Sequence, residues 1–238
     1  MIVVSGRAGV ANFTIYFCAD ATTATCRRVR SIDVGATLIG ICGGSGSGKS
    51  RLAHELAATI GEDHVSILPF DAYYKDLRSL TIDERNLVNF DHPDSLDADL
   101  FGHHLDGLVE GLDVCVPVYD FTRHQRADDL IILPAADVII AEGILLFAFP
   151  ELVERFDYRV FRSAPEDVRY TRRLERDVVE RGRSPESIRR QWDNSVAPMH
   201  DQFVEPSAAI ADHVIDHCED LEAVVQRLSR EISSLGVS

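Results

Sequence analysis

The eight residues from Gly43 to Ser50 constrain the fold of this chain more than any other part of the sequence. They read GGSGSGKS and match the pattern G-x-x-x-x-G-K-[S/T] at every fixed position. Residues 37–42, just before them, form a short apolar run, and residues 50–60 carry apolar side chains at helical spacing. In such an arrangement of strand, loop and helix, backbone amides and the helix N-terminus face the phosphates of a nucleotide. The sequence therefore predicts a phosphate-binding loop, or P-loop.

The side chains of this loop match the chemistry that a nucleotide requires. Lys49 carries a compact ammonium group that reaches the β- and γ-phosphates, and Ser50 supplies a hydroxyl ligand to Mg²⁺. Lys49 and Lys75 are the only lysines in a sequence whose other basic side chains are arginines. The predicted nucleotide-binding residues are Gly43, Gly44, Ser45, Gly46, Ser47, Gly48, Lys49 and Ser50.

Strand-like and helix-like segments alternate after residue 37. The predicted strands are residues 37–42, 65–69, 114–119, 130–133, 137–141, 158–161 and 213–215. The predicted helices are residues 50–60, 97–112, 165–181, 184–203 and 221–235. This alternation predicts an α/β fold with an open, mostly parallel sheet covered by helices on both faces. We assign residues 37–238 to one domain and expect residues 1–36 to be an N-terminal extension of unknown role.

Two acidic residues lie at or just beyond the ends of predicted strands. Asp71 comes after strand 65–69, and Glu142 comes after strand 137–141. The carboxyl ends of parallel strands open onto the ligand crevice, where Glu142 can hold the water shell of a metal and Asp71 can accept a hydroxyl proton and touch Mg²⁺. Taken singly, Asp71 can also be the N-cap of a turn, and Glu142 can be a surface residue.

Charge and composition argue against several classes of function. The formal charge is −15, whereas a nucleic-acid binder needs a basic face. No apolar run approaches the length of a membrane-spanning helix, and the first residues lack the pattern of a secretory signal. The five cysteines are scattered without the spacing of metal ligands, so we expect free thiols. We expect a cytoplasmic protein that binds neither nucleic acid nor membranes.

Several longer segments resemble one family. In chain order they read GGSGSGKS, ILPFDAYYK, NFDHPDSLD, VPVYDFTRH, IIAEGIL, RRLERDVVERGRS, and QW followed by PMHDQFVEPS. From residue 37 to 215 the chain is similar to the uridine kinase family, within the uridine kinase/phosphoribulokinase group. This resemblance implies a P-loop kinase that transfers the γ-phosphate of ATP or GTP, with Mg²⁺, to the 5′-hydroxyl of uridine or cytidine. Members of the family often form homo-oligomers.

The resemblance also implies roles in the acceptor site. Asp71 corresponds to the catalytic base of the family, and Asp91 corresponds to the residue that binds the ribose 2′- and 3′-hydroxyls. The pocket for the pyrimidine corresponds to Tyr119, Phe121 and His124. Without the resemblance, the first two of these aromatic residues read as strand core and His124 reads as an exposed loop residue.

Arginines are concentrated in residues 169–190. Such charged helix faces are usually solvated, and Glu175, Asp177 and Glu180 can pair with several of these arginines. A Gly-interrupted helix rich in arginine also suits a lid that closes over transferring phosphates. By resemblance, the lid arginines are Arg173 and Arg176, and the further nucleoside-binding residues are Arg173, Arg183 and Gln191.

Two segments depart from the family pattern. Residues 161–164 read FRSA where the family has an acidic stretch, and residues 216–220 read DHCED where it has a Pro- and Gly-containing loop that frames the donor purine. The preference for ATP or GTP therefore stays open. One alternative function is a related kinase acting on another small alcohol. A second is a nucleotide-binding regulator without turnover.

Overall fold

The computed structural model describes residues 35–85 and 87–235, together with the backbone of three short strands near the N-terminus. These strands are β1 (Ile2–Ser5), β2 (Thr14–Phe17) and β3 (Thr25–Cys26). The first two pair with each other in antiparallel orientation. Most of the predicted extension, residues 1–36, lies outside the described residues, so its role stays a question.

Five strands form the central sheet, and two more form a hairpin. The strands after residue 35 are β4 (Thr37–Cys42), β5 (Val65–Pro69), β6 (Asp113–Asp120), β7 (Gln125–Leu133), β8 (Val138–Gly143), β9 (Tyr158–Ser163) and β10 (His213–Asp216). The central sheet has the order β5-β8-β4-β9-β10, and every pair in it is parallel. The prediction of an open, mostly parallel sheet is therefore confirmed.

Helices cover both faces of the central sheet. The α-helices are α1 (Lys49–Ile60), α2 (Ile82–Arg85), α3 (Ala98–Val109), α4 (Pro150–Val153), α5 (Glu166–Arg181), α6 (Pro185–Gln191), α7 (Ala197–Met199) and α8 (Leu221–Ser234). Successive side chains of β4 point to opposite faces, as the pleat of a strand requires. Leu38 packs in the same apolar layer as Phe101 of α3, whereas Ile39 packs with Leu52 of α1 and Leu228 of α8. The sheet is buried on both faces, which explains its continuous apolar strands.

The hairpin of β6 and β7 forms a separate antiparallel sheet with β3. The sequence predicted a short second strand at residues 130–133, but β7 starts at Gln125. Its first half is polar and partly exposed because β7 is the edge strand of this sheet. Apolar periodicity cannot detect such a strand, because neither of its faces is fully buried.

The predicted helix 184–203 contains Pro198 and is less regular than expected. It starts as α6, runs through a π-helical turn at Trp192–Val196 into α7, and continues through a second at His200–Val204. Wide turns of this kind compensate for the hydrogen bond that an internal proline cannot donate. The segment stays helical, and in it Gln191 accepts a hydrogen bond from Arg173 and Ser195 donates one to Asp91.

None of the helices in the part of the chain that the structure describes combines the length and the apolar composition needed to cross a bilayer. The thiols of Cys42 and Cys218 are free, the first buried and the second exposed.

Candidate active site

The P-loop follows β4, as predicted, and packs tightly against two neighbouring segments. A Cβ atom on Gly43 would lie 2.4 Å from the carbonyl oxygen of Arg162 in β9, and one on Gly46 would lie 2.3 Å from that of Arg169 in α5. Both glycines also have positive φ, 151° and 81°, where other residues are strained. The loop can therefore turn its amides inward only because these positions carry no side chain.

Lys49 and Ser50 begin helix α1 and meet Glu142 at the end of β8. The hydroxyl of Ser50 donates to Oε1 of Glu142 at 3.0 Å, and Nζ of Lys49 lies 3.8 Å from Oε2. In the sheet, Glu142 is in register with Ile41 of β4 and Pro69 of β5. The parallel strands β4 and β8 thus bring Lys49, Ser50 and Glu142 together at the carboxyl edge of the sheet. The position of Glu142 at the end of a predicted strand implied this edge.

The carboxylate of Glu142 is suited to a magnesium ion shared with a nucleotide. Glu142 is buried, and its Oε2 has no hydrogen-bond partner among residues 35–85 and 87–235. Burial raises the pKa of Glu142, Lys49 opposes this shift, and Asp71 adds to it. Across the same residues there is no group of three or more His, Cys, Asp or Glu side chains that could hold a metal alone. An ion at Ser50 and Glu142 would therefore complete its oxygen shell with donor phosphates and water.

Asp71 lies at the same edge of the sheet, in the short 3₁₀ turn Phe70–Tyr73 that follows β5. Pro69 occupies the N-cap position of this turn, so Asp71 is not its cap. The side chain is half-buried, and its charge contributes to raising the pKa of both Glu142 and Tyr74. The carboxylate of Asp71 is thus close enough to Glu142 and to Tyr74 to influence the pKa of both.

The three aromatic residues predicted for the pyrimidine pocket lie together and are joined by two others. Ring centroids are 5.1 Å apart for Tyr74 and Tyr119 and 5.2 Å apart for Tyr119 and Phe121. His124 stacks on Phe90 at 4.5 Å, with an angle of 16° between the rings. The hydroxyl of Tyr119 is buried and has no hydrogen-bond partner in the described part of the chain. These rings therefore provide stacking surface and one unused hydrogen-bonding group.

Tyr74 and Phe90 were not predicted as site residues. Tyr74 is the central ring of the cluster, and its pKa is raised first by burial and then by the charges of Asp71 and Asp91. Both aromatics lie within motifs used in the prediction, FDAYYK and NFDHPDS, and this was the available signal.

Asp91 is buried beside the helical segment that follows α6. Its carboxylate accepts a hydrogen bond from the hydroxyl of Ser195, which also lies 3.1 Å from Oδ1 of Asn89. Asn89 Oδ1 in turn accepts from the backbone amide of Asp91 at 3.1 Å. Sequence reasoning missed Ser195 and Asn89. The only signal for Ser195 is its position one helical turn after Gln191.

Two of the predicted arginines and Gln191 meet next to the P-loop. Nη1 of Arg173 donates to Oγ of Ser45 at 3.0 Å, and its Nη2 donates to Oε1 of Gln191 at 3.0 Å. The same Gln191 oxygen accepts from Nη1 of Arg183 at 2.6 Å. Arg181, which was not predicted, lies with its Cζ atom 4.6 Å from the ring centroid of Phe121. The arginine segment therefore contacts both the P-loop and the aromatic pocket.

Arg176 points instead to Asp177, whose Oδ1 accepts from Arg176 Nε at 2.9 Å and Nη2 at 2.8 Å. The Asp177 side chain is fully buried. Burial by itself would raise the pKa of this carboxyl group, but the surrounding arginines more than offset that effect and lower it. Arg176 is thus hydrogen-bonded to Asp177, and no hydrogen bond within the described residues joins its side chain to the P-loop.

The two segments that depart from the family pattern contact each other. Arg162, in β9, donates through Nη1 to the carbonyl oxygen of Asp216 at 2.7 Å. The carbonyl oxygen of Arg162 lies against Gly43. One residue therefore links the start of the P-loop to the loop after β10.

Solved structures share this fold. A possible uridine kinase from Bacillus stearothermophilus has a TM-score of 0.52 at 20% identity, with 79% of this chain and 91% of that chain covered. D-glycerate 3-kinase from Cryptococcus neoformans has a TM-score of 0.58 at 12% identity, with 78% of this chain and 88% of that chain covered. At such identities the likeness shows the fold alone, that of P-loop kinases.

Relatives in sequence are more informative. Uridine kinase from Lactobacillus helveticus is 38% identical over 199 residues, covering 83% of this chain and 94% of the relative. Uridine kinase from Shewanella piezotolerans is 44% identical over 182 residues, covering 75% and 86%. The family model described as "Phosphoribulokinase / Uridine kinase family" matches residues 38–223, which include every predicted site residue. The chain therefore belongs to the phosphoribulokinase/uridine kinase family.

Proposed function

We propose that this protein is a uridine kinase that transfers the γ-phosphate of ATP or GTP to the 5′-hydroxyl of uridine or cytidine, giving UMP or CMP. Relatives that are 38% and 44% identical over most of the chain carry the name uridine kinase. The observation that carries the proposal is the position of Tyr74. Its ring lies 5.1 Å from that of Tyr119, and the nearby charges of Asp71 and Asp91 contribute to raising the pKa of its hydroxyl. Surfaces for the base, the ribose and the 5′-hydroxyl thus converge.

The donor phosphates bind at the P-loop in this proposal. Lys49 and the loop amides neutralise the β- and γ-phosphates, and the N-terminus of α1 adds positive potential. A bound Mg²⁺, held by Ser50 with Glu142 and Asp71 near its ligand shell, would supply further neutralisation of the phosphate charge. The Oε2 atom of Glu142, which accepts no hydrogen bond from the described residues, supports this assignment.

The acceptor is oriented and deprotonated by carboxylates. Asp91 accepts hydrogen bonds from the ribose 2′- and 3′-hydroxyls, because one carboxylate can serve two vicinal donors. Asp71 accepts the proton of the 5′-hydroxyl as its oxygen forms the new bond to the γ-phosphorus, and the bond from that phosphorus to the β-γ bridging oxygen breaks. The nucleoside diphosphate leaves with this oxygen.

The segment 169–190 acts as an arginine-rich lid over the transferring group in this proposal. Arg173 already reaches the P-loop through Ser45, and it shares Gln191 with Arg183. Positive groups placed there stabilise charge that spreads over the equatorial oxygens in the transition state. We also expect a cytoplasmic enzyme whose catalytic domain is residues 37–238, and homo-oligomers are common among the relatives that it resembles.

Release of ADP from ATP and Mg²⁺ tests the proposal, with uridine, cytidine, deoxyuridine and adenosine as acceptors. We expect turnover with uridine and cytidine, and kcat/KM for deoxyuridine lower by about tenfold or more because a buried charged acceptor is left partly unpaired. Asp71→Asn should lower kcat by about 10²- to 10⁴-fold through loss of the base. Asp129→Asn, on the exposed part of β7, is the matched control and should leave kcat unchanged.

Absence of turnover with every pyrimidine nucleoside, using either ATP or GTP, would overturn the nucleoside assignment. Turnover with a different alcohol would then identify a related kinase. Nucleotide binding without any acceptor-dependent release of diphosphate would identify a regulator.

A further inference from the structure

One carboxylate in helix α5 is shared by four arginines. Oδ1 of Asp177 lies 2.8 Å from Nη2 of Arg176 and 3.7 Å from Nε of Arg181. Oδ2 lies 3.5 Å from Nε of Arg173 and 3.5 Å from Nη1 of Arg183. The side chain of Asp177 is 0% exposed, so solvent does not separate these charges from it. We refer to Asp177 and these four residues as the arginine cluster.

The backbone of Asp177 also shapes the cluster. Its carbonyl oxygen accepts from the amide of Gly182, at the end of α5, and from the amide of Arg183 at 3.1 Å. The αL conformation of Gly182, with φ 61°, turns the chain so that Arg183 returns to the carboxylate. Helical spacing places Arg173 and Arg181 four residues either side of Asp177, and the turn adds the fourth arginine.

The cluster carries an excess of positive charge between the two halves of the site. Four guanidinium groups surround one carboxylate, so three positive charges are not balanced within the cluster. Without the carboxylate, these groups would repel one another in a partly desolvated space. Arg173 contacts Ser45 of the P-loop, and Arg181 lies over Phe121 of the aromatic pocket. The unbalanced charge therefore borders both the donor and the acceptor.

We propose that Asp177 is a positioning residue, which holds the four arginines in one array so that their positive charge is already in place when the phosphoryl group transfers. The inference rests on the proposed function and deepens it. Charged groups that are in position before the reaction stabilise a transition state more than groups that must move into position during it. Asp177 touches no substrate and acts only through the arginines. Its removal therefore impairs the chemical step and spares donor binding at the P-loop.

Asp177→Asn tests this, because asparagine has the same shape and keeps the backbone bonds but cannot balance positive charge. We expect kcat to fall by tenfold or more, with the Kd of a non-hydrolysable ATP analogue changed less than threefold. Asp177→Glu restores the charge and should recover part of the lost kcat. Asp193→Asn is the matched control, because it removes a carboxylate paired with Arg189 at 2.8 Å on the exposed side of the same region. Its kcat should stay native.

Three results would overturn the inference. The first is native kcat in Asp177→Asn. The second is a loss of donor affinity as large as the loss of kcat, since that indicates a general disruption of the site. The third decides the matter if Asp177→Asn does not fold. It is a folded Asp177→Glu whose kcat is lower than that of wild type and does not change as salt is added. If the arginines were displaced, kcat would depend on ionic strength.

The wild-type protein separates this inference from the proposed function. If wild type phosphorylates no pyrimidine nucleoside, the proposed function fails, and the same comparison is made with whichever other acceptor supports turnover. If wild type phosphorylates uridine and Asp177→Asn does so equally well, only the positioning role fails.

Discussion

At the scale of single residues, the hydroxyl of Ser195 joins two parts of the molecule that are far apart in the chain. It donates to Asp91, 104 residues earlier, and lies beside Asn89. A carboxylate held in this way keeps one orientation and has its other oxygen available to a ligand. We therefore regard Ser195 as the support of the proposed ribose site.

Ser195→Ala should raise the KM for uridine about threefold to tenfold, because losing one hydrogen bond to a charged group costs about 1 kcal/mol or more. The kcat should change little, since Asp71 and the P-loop are untouched. Steady-state kinetics with varied uridine at saturating ATP measures this. Ser233→Ala, on the exposed side of α8, is the control. An unchanged KM would show that Asp91 does not need the serine.

The residue scale also shows what the sequence can and cannot predict. The P-loop was predictable because its eight positions are contiguous and its four fixed ones, Gly43, Gly48, Lys49 and Ser50, each have a chemical requirement. The Asp177 pairs with Arg173 and Arg181 were visible as i,i+4 spacings. Ser195 was not predictable, because its contacts with Asn89 and Asp91 join residues more than a hundred positions apart. Asn89 was missed although it accepts a local hydrogen bond from the amide of Asp91. The predicted roles of the site residues remain predictions until their variants are measured.

At the scale of elements, the turn between α5 and α6 sets the geometry of the arginine cluster. Gly182 ends α5 in the αL conformation, and Ser184 caps α6 by accepting from the amide of Ser187. Only three residues therefore separate the end of α5 from the start of α6. This short connection fixes the direction in which Arg183 leaves the helix, and it was predictable from the Gly and Ser in RGRS.

Gly182→Ala should lower the free energy of unfolding by about 1 kcal/mol, because alanine is strained at positive φ. A new Cβ atom there would meet nothing within 4 Å, so the backbone alone accounts for the loss. Urea denaturation measures the change. Gly35→Ala is a matched control, since its Cβ also meets nothing and its φ is not positive, and it should leave stability unchanged. Equal stability of the two variants would contradict this explanation.

At the scale of the whole molecule, two apolar layers enclose the sheet, and one of them contains a histidine. His104 of α3 is 0% exposed, and its Nδ1 lies 2.7 Å from the hydroxyl of Tyr73. Burial, followed by the charges of His103 and Arg126, lowers the pKa of His104 to about 4. The folded protein therefore holds this ring neutral under conditions in which an unfolded chain would protonate it.

The unfolding free energy should consequently fall as the pH drops from about 6.5 to about 4, since the unfolded chain binds a proton that the folded one does not. The full loss is about 3 kcal/mol, at 1.36 kcal/mol per pKa unit. Above pH 6.5 the titration of His104 should not change the free energy of unfolding. Urea denaturation of wild type and His104→Gln across this range isolates the effect, because all other groups cancel in the difference. A difference independent of pH would refute the assignment.

Trp192 is the only tryptophan of the sequence and is almost fully buried between α5 and the helical segment after it. Its indole nitrogen donates to Glu166 at 2.9 Å, and its ring lies 5.3 Å from that of Tyr170 and 5.5 Å from the guanidinium of Arg169. Indole emission from this protein therefore arises at a single position, next to Gln191 in the chain. The fluorescence of Trp192 therefore reports how α5 packs against the helical segment after it. It can be recorded without an added label while turnover is measured.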